Sequence, residues 1–129
     1  MYQESGDGCF SISLITNKYS NKTYVQLKFS VSQHIRDIKL MESFISYFNC
    51  GYITKDKDNV VYFNVVKFSD IYEKIIPFFN ANQIIGVKSL NFNDWCVAAE
   101  IVKQSKHLTE DGLNQIIIIK QGMNTLREN

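Results

Sequence analysis

Gly6-Asp7-Gly8 sets one carboxylate between two residues that lack a Cβ, just ahead of an alternating run that starts at Cys9. Glycines there let two backbones approach closely, and Asp7 would stand at a helix-to-strand junction. Such a carboxylate can hold a divalent cation through hard oxygen, or it can cap a turn. The triplet alone does not choose between them. The other reactive residue types are scattered. His107 has no cysteine or second histidine at ligand spacing, which speaks against zinc. His34 is near a helix start, where a cap or surface role suits it better than that of a base. No Ser-His-Asp arrangement stands out. Cys9, Cys50 and Cys96 are odd in number and widely spaced, and they read as reduced thiols of an intracellular protein.

The elements that must position these residues can be read from periodicity. Residues 9–16 alternate, with Phe10, Ile12 and Leu14 on one side and Ser11 and Ser13 on the other. Residues 24–31 alternate as well, with Val25, Leu27, Phe29 and Val31 against Tyr24, Gln26, Lys28 and Ser30. The polar stretch 17–22 between them predicts a hairpin. Ile38, Met41, Ile45 and Phe48 recur at helical spacing, so a helix is expected from Ser32 or Gln33 to Phe48, before Gly51. A second hairpin follows over 52–55 and 60–67, joined by the solvated turn Asp56-Lys57-Asp58-Asn59. Ser69-Asp70 would cap a short helix that Pro77 ends or bends. Asn93 would cap a helix carrying Trp95, Ala98, Ala99 and Val102, and Thr109 would cap a last one through Lys120. The pattern is α+β: a four-stranded antiparallel sheet with helices on one face.

The other sheet face is then left free. It would show Ser11, Ser13, Tyr24, Gln26, Lys28, Ser30, Tyr52, Thr54, Tyr62 and Asn64, with Lys22, Lys55 and Lys67 near the edges. Hydrogen-bonding groups and aromatics at two-residue spacing suit base edges and stacking, while a solvated face is the plainer alternative. Composition adds limits. The 129 residues are 45% hydrophobic and 21% charged, with nine Phe, seven Tyr and one Trp, enough for one core. One proline and no Gly/Ser-rich linker predict a single domain over 1–129. The net charge of +1 gives no general push toward nucleic acid. The longest aliphatic run, Ile116 to Ile119, is too short for a membrane span, and no secretory signal is visible at the start.

Several motifs, in order, resemble the LAGLIDADG homing endonucleases. Gly6-Asp7-Gly8-Cys9-Phe10 is similar to the end of the signature motif. Ser32-Gln33-His34 with Arg36-Asp37 and Leu40-Met41 resembles the first core helix, and Tyr47-Phe48-Asn49-Cys50-Gly51 its exit. Phe68-Ser69-Asp70-Ile71, Ile75-Ile76-Pro77-Phe78-Phe79, Gly86-Val87-Lys88-Ser89-Leu90-Asn91-Phe92 with Asp94-Trp95, His107 to Leu113 and Gly122-Met123-Asn124 continue the likeness. It covers nearly the whole chain and is closest to the C-terminal half of two-motif enzymes encoded in fungal mitochondrial introns.

The resemblance implies an αββαββα core whose saddle-shaped sheet lies in the major groove of double-stranded DNA. It implies metal-dependent phosphodiester hydrolysis with Mg²⁺, the motif helices of two halves each delivering one acidic residue. The matching position here is Asp7, with the Gly6 carbonyl on the same cation, and Lys88 matches a basic residue near the phosphate. Only Met1 to Ser5 precede Gly6, and Gln3 and Glu4 are polar, so a shortened motif helix is expected. Cleavage would then need a homodimer or a separate N-terminal half. Two further readings are a non-catalytic RNA-binding module, maturase-like or part of a ribonucleoprotein, and a folded remnant. A mitochondrial location rests on the resemblance alone.

Overall fold

Four antiparallel strands form one sheet in the order β1-β2-β4-β3. The structure, a computed structural model, describes residues 7–123, with the backbone alone for Asp7 and Gly8. β1 (Asp7–Thr16) pairs with β2 (Thr23–His34) from Asp7 opposite Ser32 to Thr16 opposite Thr23. The turn between them is held by Asn17, whose Oδ1 accepts from the backbone N–H groups of Tyr19 at 2.8 Å and Ser20 at 3.2 Å. Asn21 closes it in the left-handed region, where asparagine is tolerated. β2 meets β4 (Val60–Val65) only over Phe29 to His34, so Thr23 to Lys28 has its sole strand partner in β1. β3 (Tyr52–Lys55) pairs with β4 at the far edge.

The first helix starts later than periodicity predicts. β2 runs through His34, because Gln33 and His34 are taken up in the ladder opposite Val61 and Val60. A short 3₁₀ turn, Ile35–Asp37, follows, capped by His34, whose Nδ1 accepts from the Arg36 backbone at 3.1 Å. Only then does α1 (Ile38–Phe48) begin. It exits through left-handed Asn49 and through Gly51 at φ 92°, where a Cβ would strike the Phe63 ring and sit 2.9 Å from the Asn64 carbonyl.

The segment after β4 is one winding of three parts: α2 (Phe68–Asp70), a π-helical turn Ile71–Ile75, and α3 (Ile76–Ala81). Ser69 and Asp70 lie inside it, and its cap residue is Lys67, which makes no side-chain cap bond. Pro77 does not end the winding. It falls in the first turn of α3, where a missing N–H is tolerated. α4 (Val87–Lys103) opens at Gly86, with Ser89 bonding back to the Gly86 carbonyl through N at 3.0 Å and Oγ at 2.6 Å. Asn93 is therefore an exposed mid-helix residue and not a cap. A 3₁₀ turn, Lys106–Leu108, leads to α5 (Glu110–Met123), and there Thr109 is the expected cap, its Oγ1 accepting from the Gly112 N–H at 3.0 Å.

The apolar strand positions Phe10, Ile12, Leu27, Phe29, Val61, Phe63 and Val65 are all buried in one cluster with Met41, Ile71, Ile75, Trp95 and Ile116. Phe10 lies 4.9 Å from Trp95, 5.2 Å from Phe92 and 5.4 Å from Phe79, centroid to centroid. Trp95 also donates its Nε1 proton to the Ser11 carbonyl at 3.0 Å, which pins α4 across β1 and satisfies the indole. The helix expected ahead of β1 lies outside the described residues.

Candidate nucleic-acid interface

Cross-strand register sorts the face that carries no core. Ser11 stands opposite Lys28, Ser13 opposite Gln26, and Ile15 opposite Tyr24. Further along, one row runs Cys9, Ser30, Asn64, Tyr52 and the next runs Asp7, Ser32, Tyr62, Thr54. Most of the expected recognition residues thus share one face: Ser11, Ser13, Tyr24, Gln26, Lys28, Ser30, Tyr52, Thr54 and Tyr62. All of them keep some solvent contact. Cys9, Ile15 and Ser32 join them. The alternation carries that signal, but β2 runs past the expected 24–31 to take in Ser32, and Ile15 breaks the polar pattern.

The other four expected contributors, three of them expected only near the edges, lie outside that set. Asn64 faces this side but is 2% exposed, so it does not reach a ligand. Its Nδ2 lies 3.0 Å from Thr54 Oγ1 and 3.4 Å from each of the Tyr52 and Tyr62 carbonyls. An amide nitrogen amid backbone acceptors fits burial, since a buried polar group must be bonded. Lys55 pairs with Val61, which puts it in the helix-side register of Ile53. Lys22 lies in the β1–β2 turn, and Lys67 caps α2 beyond the end of β4. Among the lysines, Lys28 is the one the register sets within the face.

The β3–β4 turn is built around Asp56. Its Oδ1 accepts from the Asp58 N–H at 2.8 Å and the Val60 N–H at 3.3 Å, and its Oδ2 accepts from the Tyr62 hydroxyl at 3.2 Å. The Asp58 N–H foremost, helped by Val60 and Tyr62, holds the Asp56 carboxyl below its usual range. The same bond, then the Asp56 charge, pushes the Tyr62 phenol up. The turn is tied to β2 through the Ile35 N–H, which donates to the Asn59 carbonyl at 2.8 Å.

Asp7 opens β1 by its backbone, opposite Ser32. Gly6 and the motif helix expected ahead of β1 lie outside the described residues. Lys88 is exposed in the first turn of α4. One turn further along, Phe92 meets Phe10, so this end of α4 lies over the start of β1. A cation at a helix N-terminus opposes the helix dipole, so helix stability does not account for it. Among the described residues no three His, Cys, Asp or Glu side chains converge as metal ligands. Cys9, Cys50 and Cys96 are free thiols, and burial pushes Cys96 up to about 11. His107 has a buried Nδ1 without a hydrogen-bond partner, and burial pulls its pKa down.

Residues 4–99 match the family model described as LAGLIDADG endonuclease. "Probable intron-encoded endonuclease 2" of Neurospora crassa is 41% identical over 120 residues, which are 92% of this chain and 25% of that protein. "Probable intron-encoded endonuclease 3" of the same fungus is 34% identical over 116 residues, 89% of this chain and 22% of that one. The chain therefore spans about a quarter of the length of the curated relatives it matches. Its fold is also similar to that of I-SmaMI bound to uncleaved DNA with calcium ions, at TM-score 0.87 and 46% identity, covering 92% of this chain and 41% of that one.

Proposed function

The chain belongs to the LAGLIDADG endonuclease family, and from that premise we propose that it is the DNA-binding half of a site-specific homing endonuclease. The observation that carries this is the open sheet face, where Ser11, Ser13, Tyr24, Gln26, Lys28, Ser30, Tyr52, Thr54 and Tyr62 fall together by register. Seryl, amide, lysyl and phenolic groups there span the donors and acceptors that major-groove edges call for. Lys22 and Lys67 at the ends of the strands suit the phosphate backbone.

For cleavage, the Asp7 carboxylate and the Gly6 carbonyl would hold a divalent cation, Mg²⁺ in our reading. One carboxylate and one carbonyl are hard oxygen donors, and they leave room for the waters this ion retains. When bound, the metal activates water and offsets charge on the leaving oxygen. Lys88 meets charge that builds on the phosphate. One such set is half a site, so cleavage needs a second Asp7 from a homodimer, or the acidic residue of a separate N-terminal half. The relatives are described as intron-encoded, which supports an organellar, mitochondrial gene as the setting.

Asp7→Asn tests the reading. It should abolish Mg²⁺-dependent cleavage by the assembled enzyme and leave duplex affinity within about two-fold, since it keeps the nine face side chains named above. Unchanged cleavage would remove Asp7 from the mechanism. Retention of RNA in place of duplex DNA would favour the non-catalytic, maturase-like alternative. Light scattering with and without duplex and Mg²⁺ reports whether the second carboxylate comes from a homodimer.

A further inference from the structure

Hydroxyl groups are ambiguous readers of bases, because each can donate or accept. Two hydroxyls on the open face are engaged by neighbours, and one of them, Tyr62, has lost that ambiguity. Tyr62 and Thr54 are direct cross-strand partners, so they stand side by side on the face, in the row that begins at Asp7. The Tyr62 proton is committed to Asp56 Oδ2, an acceptor that can take it in only one direction. What Tyr62 offers outward is a lone pair. Thr54 is engaged from the other side. The Asn64 amide nitrogen must face the Tyr52 and Tyr62 carbonyls, which only accept, and so it donates to Thr54 Oγ1 at 3.0 Å. That fills one of the two lone pairs of Oγ1, and Thr54 keeps its proton to give.

We propose that Asp56 fixes the hydrogen-bond polarity of Tyr62, so that Tyr62 as acceptor and Thr54 as donor form a reader of an adenine edge in the major groove. On a single base, only adenine carries an acceptor, N7, beside a donor, N6–H. Guanine shows two acceptors there, cytosine a donor alone and thymine an acceptor alone. Neither Asp56 nor Asn64 touches the base. Asp56 acts through Tyr62 as a positioning residue, and Asn64 braces Thr54. The proposal rests on the DNA reading above and adds the base class and the polarity. Asp56 lies in a turn outside the strands, and its role was invisible in the spacing of the face residues.

Asp56→Asn gives a directional test. The asparagine Oδ1 can still accept from the Asp58 and Val60 N–H groups, so the turn keeps its frame. Its Nδ2 replaces Oδ2 and donates to the Tyr62 oxygen, which turns the phenolic proton outward. The pair then offers two donors, the pattern that suits guanine N7 and O6. Enrichment of randomised duplexes by the full chain should show an adenine preference at one position, on the order of ten-fold. Tyr62→Phe should abolish that preference, and Asp56→Asn should move it to guanine. Ultraviolet titration provides a readout without DNA: the difference between the parent chain and Tyr62→Phe isolates the Tyr62 phenol, and Asp56→Asn should lower its pKa. An adenine preference that survives both substitutions, or a phenol that does not move, overturns the proposal while leaving DNA binding intact. A chain that enriches no duplex, with the phenol still raised by Asp56, overturns the DNA reading and this inference with it.

Discussion

The two faces of the sheet are built from the same strands and alternate residue by residue, yet they solve opposite problems. On the helix side, Phe10, Phe29 and Phe63 are nearly excluded from water and packed among rings and aliphatic chains. On the open side, their neighbours Cys9, Ser11, Lys28, Ser30 and Tyr62 keep solvent contact, while Asn64 is closed over and hydrogen-bonded. Stability therefore resides in one residue parity and, in the proposed function, recognition in the other. A substitution should affect one property and spare the other.

The largest effect is expected at Trp95, which is fully buried. Trp95→Ala should cost about 3–5 kcal/mol by denaturant titration, from the lost ring and the stranded Ser11 carbonyl. Gly112→Ala should rank close behind, because a Cβ there would drive into the Lys106 backbone carbonyl, and backbone cannot swing aside. Gly51→Ala is strained by its positive φ as well as by the Phe63 ring, and a loss of about 1–3 kcal/mol should appear in the same titration.

On the open face the pattern should invert. Ser13→Ala should leave stability within about 0.5 kcal/mol. Lys28→Ala should do the same while flattening the salt dependence of duplex binding by about one unit of slope, if Lys28 meets a phosphate. If Ser13→Ala or Lys28→Ala destabilised the chain as much as Gly51→Ala, the division of labour would fail. The smallest effect concerns neither face. The folded-state pKa of His107 is depressed by burial, so the unfolded chain binds the proton more readily. Its contribution is present above the ordinary value of 6.5 and is lost as pH falls through the folded pKa. Melting curves between pH 7 and 5 should show a shallow decline that His107→Gln removes.

The strand order of the chain and the residues of both faces were legible because period two survives wherever one face is buried and the other wet. Thr109 was legible as a cap because a hydroxyl three residues ahead of the Gly112 N–H has few other uses. The start of α1 was not, since Gln33 and His34 fit a helix as well as a strand until β4 claims them. Asn93 misled because a good cap residue can also stand mid-helix when Gly86 has already opened it. Asn64 was sorted to the right face but given the wrong role. Alternation reports which side a residue is on, not whether Tyr52, Thr54 and Tyr62 close over it.

The β1–β2 hairpin outreaches the rest of the sheet, since β4 accompanies β2 only from Phe29 onward. Amides in the outer ribbon, around Ser13 and Gln26, are guarded by a single ladder. Those near Phe29 and Val31 lie between two. In hydrogen exchange the tip should open in local excursions at a fraction of the global unfolding free energy, while the root exchanges only when the whole chain unfolds. Such a tip can conform to the duplex by yielding locally, with no cost to the root that carries Asp7.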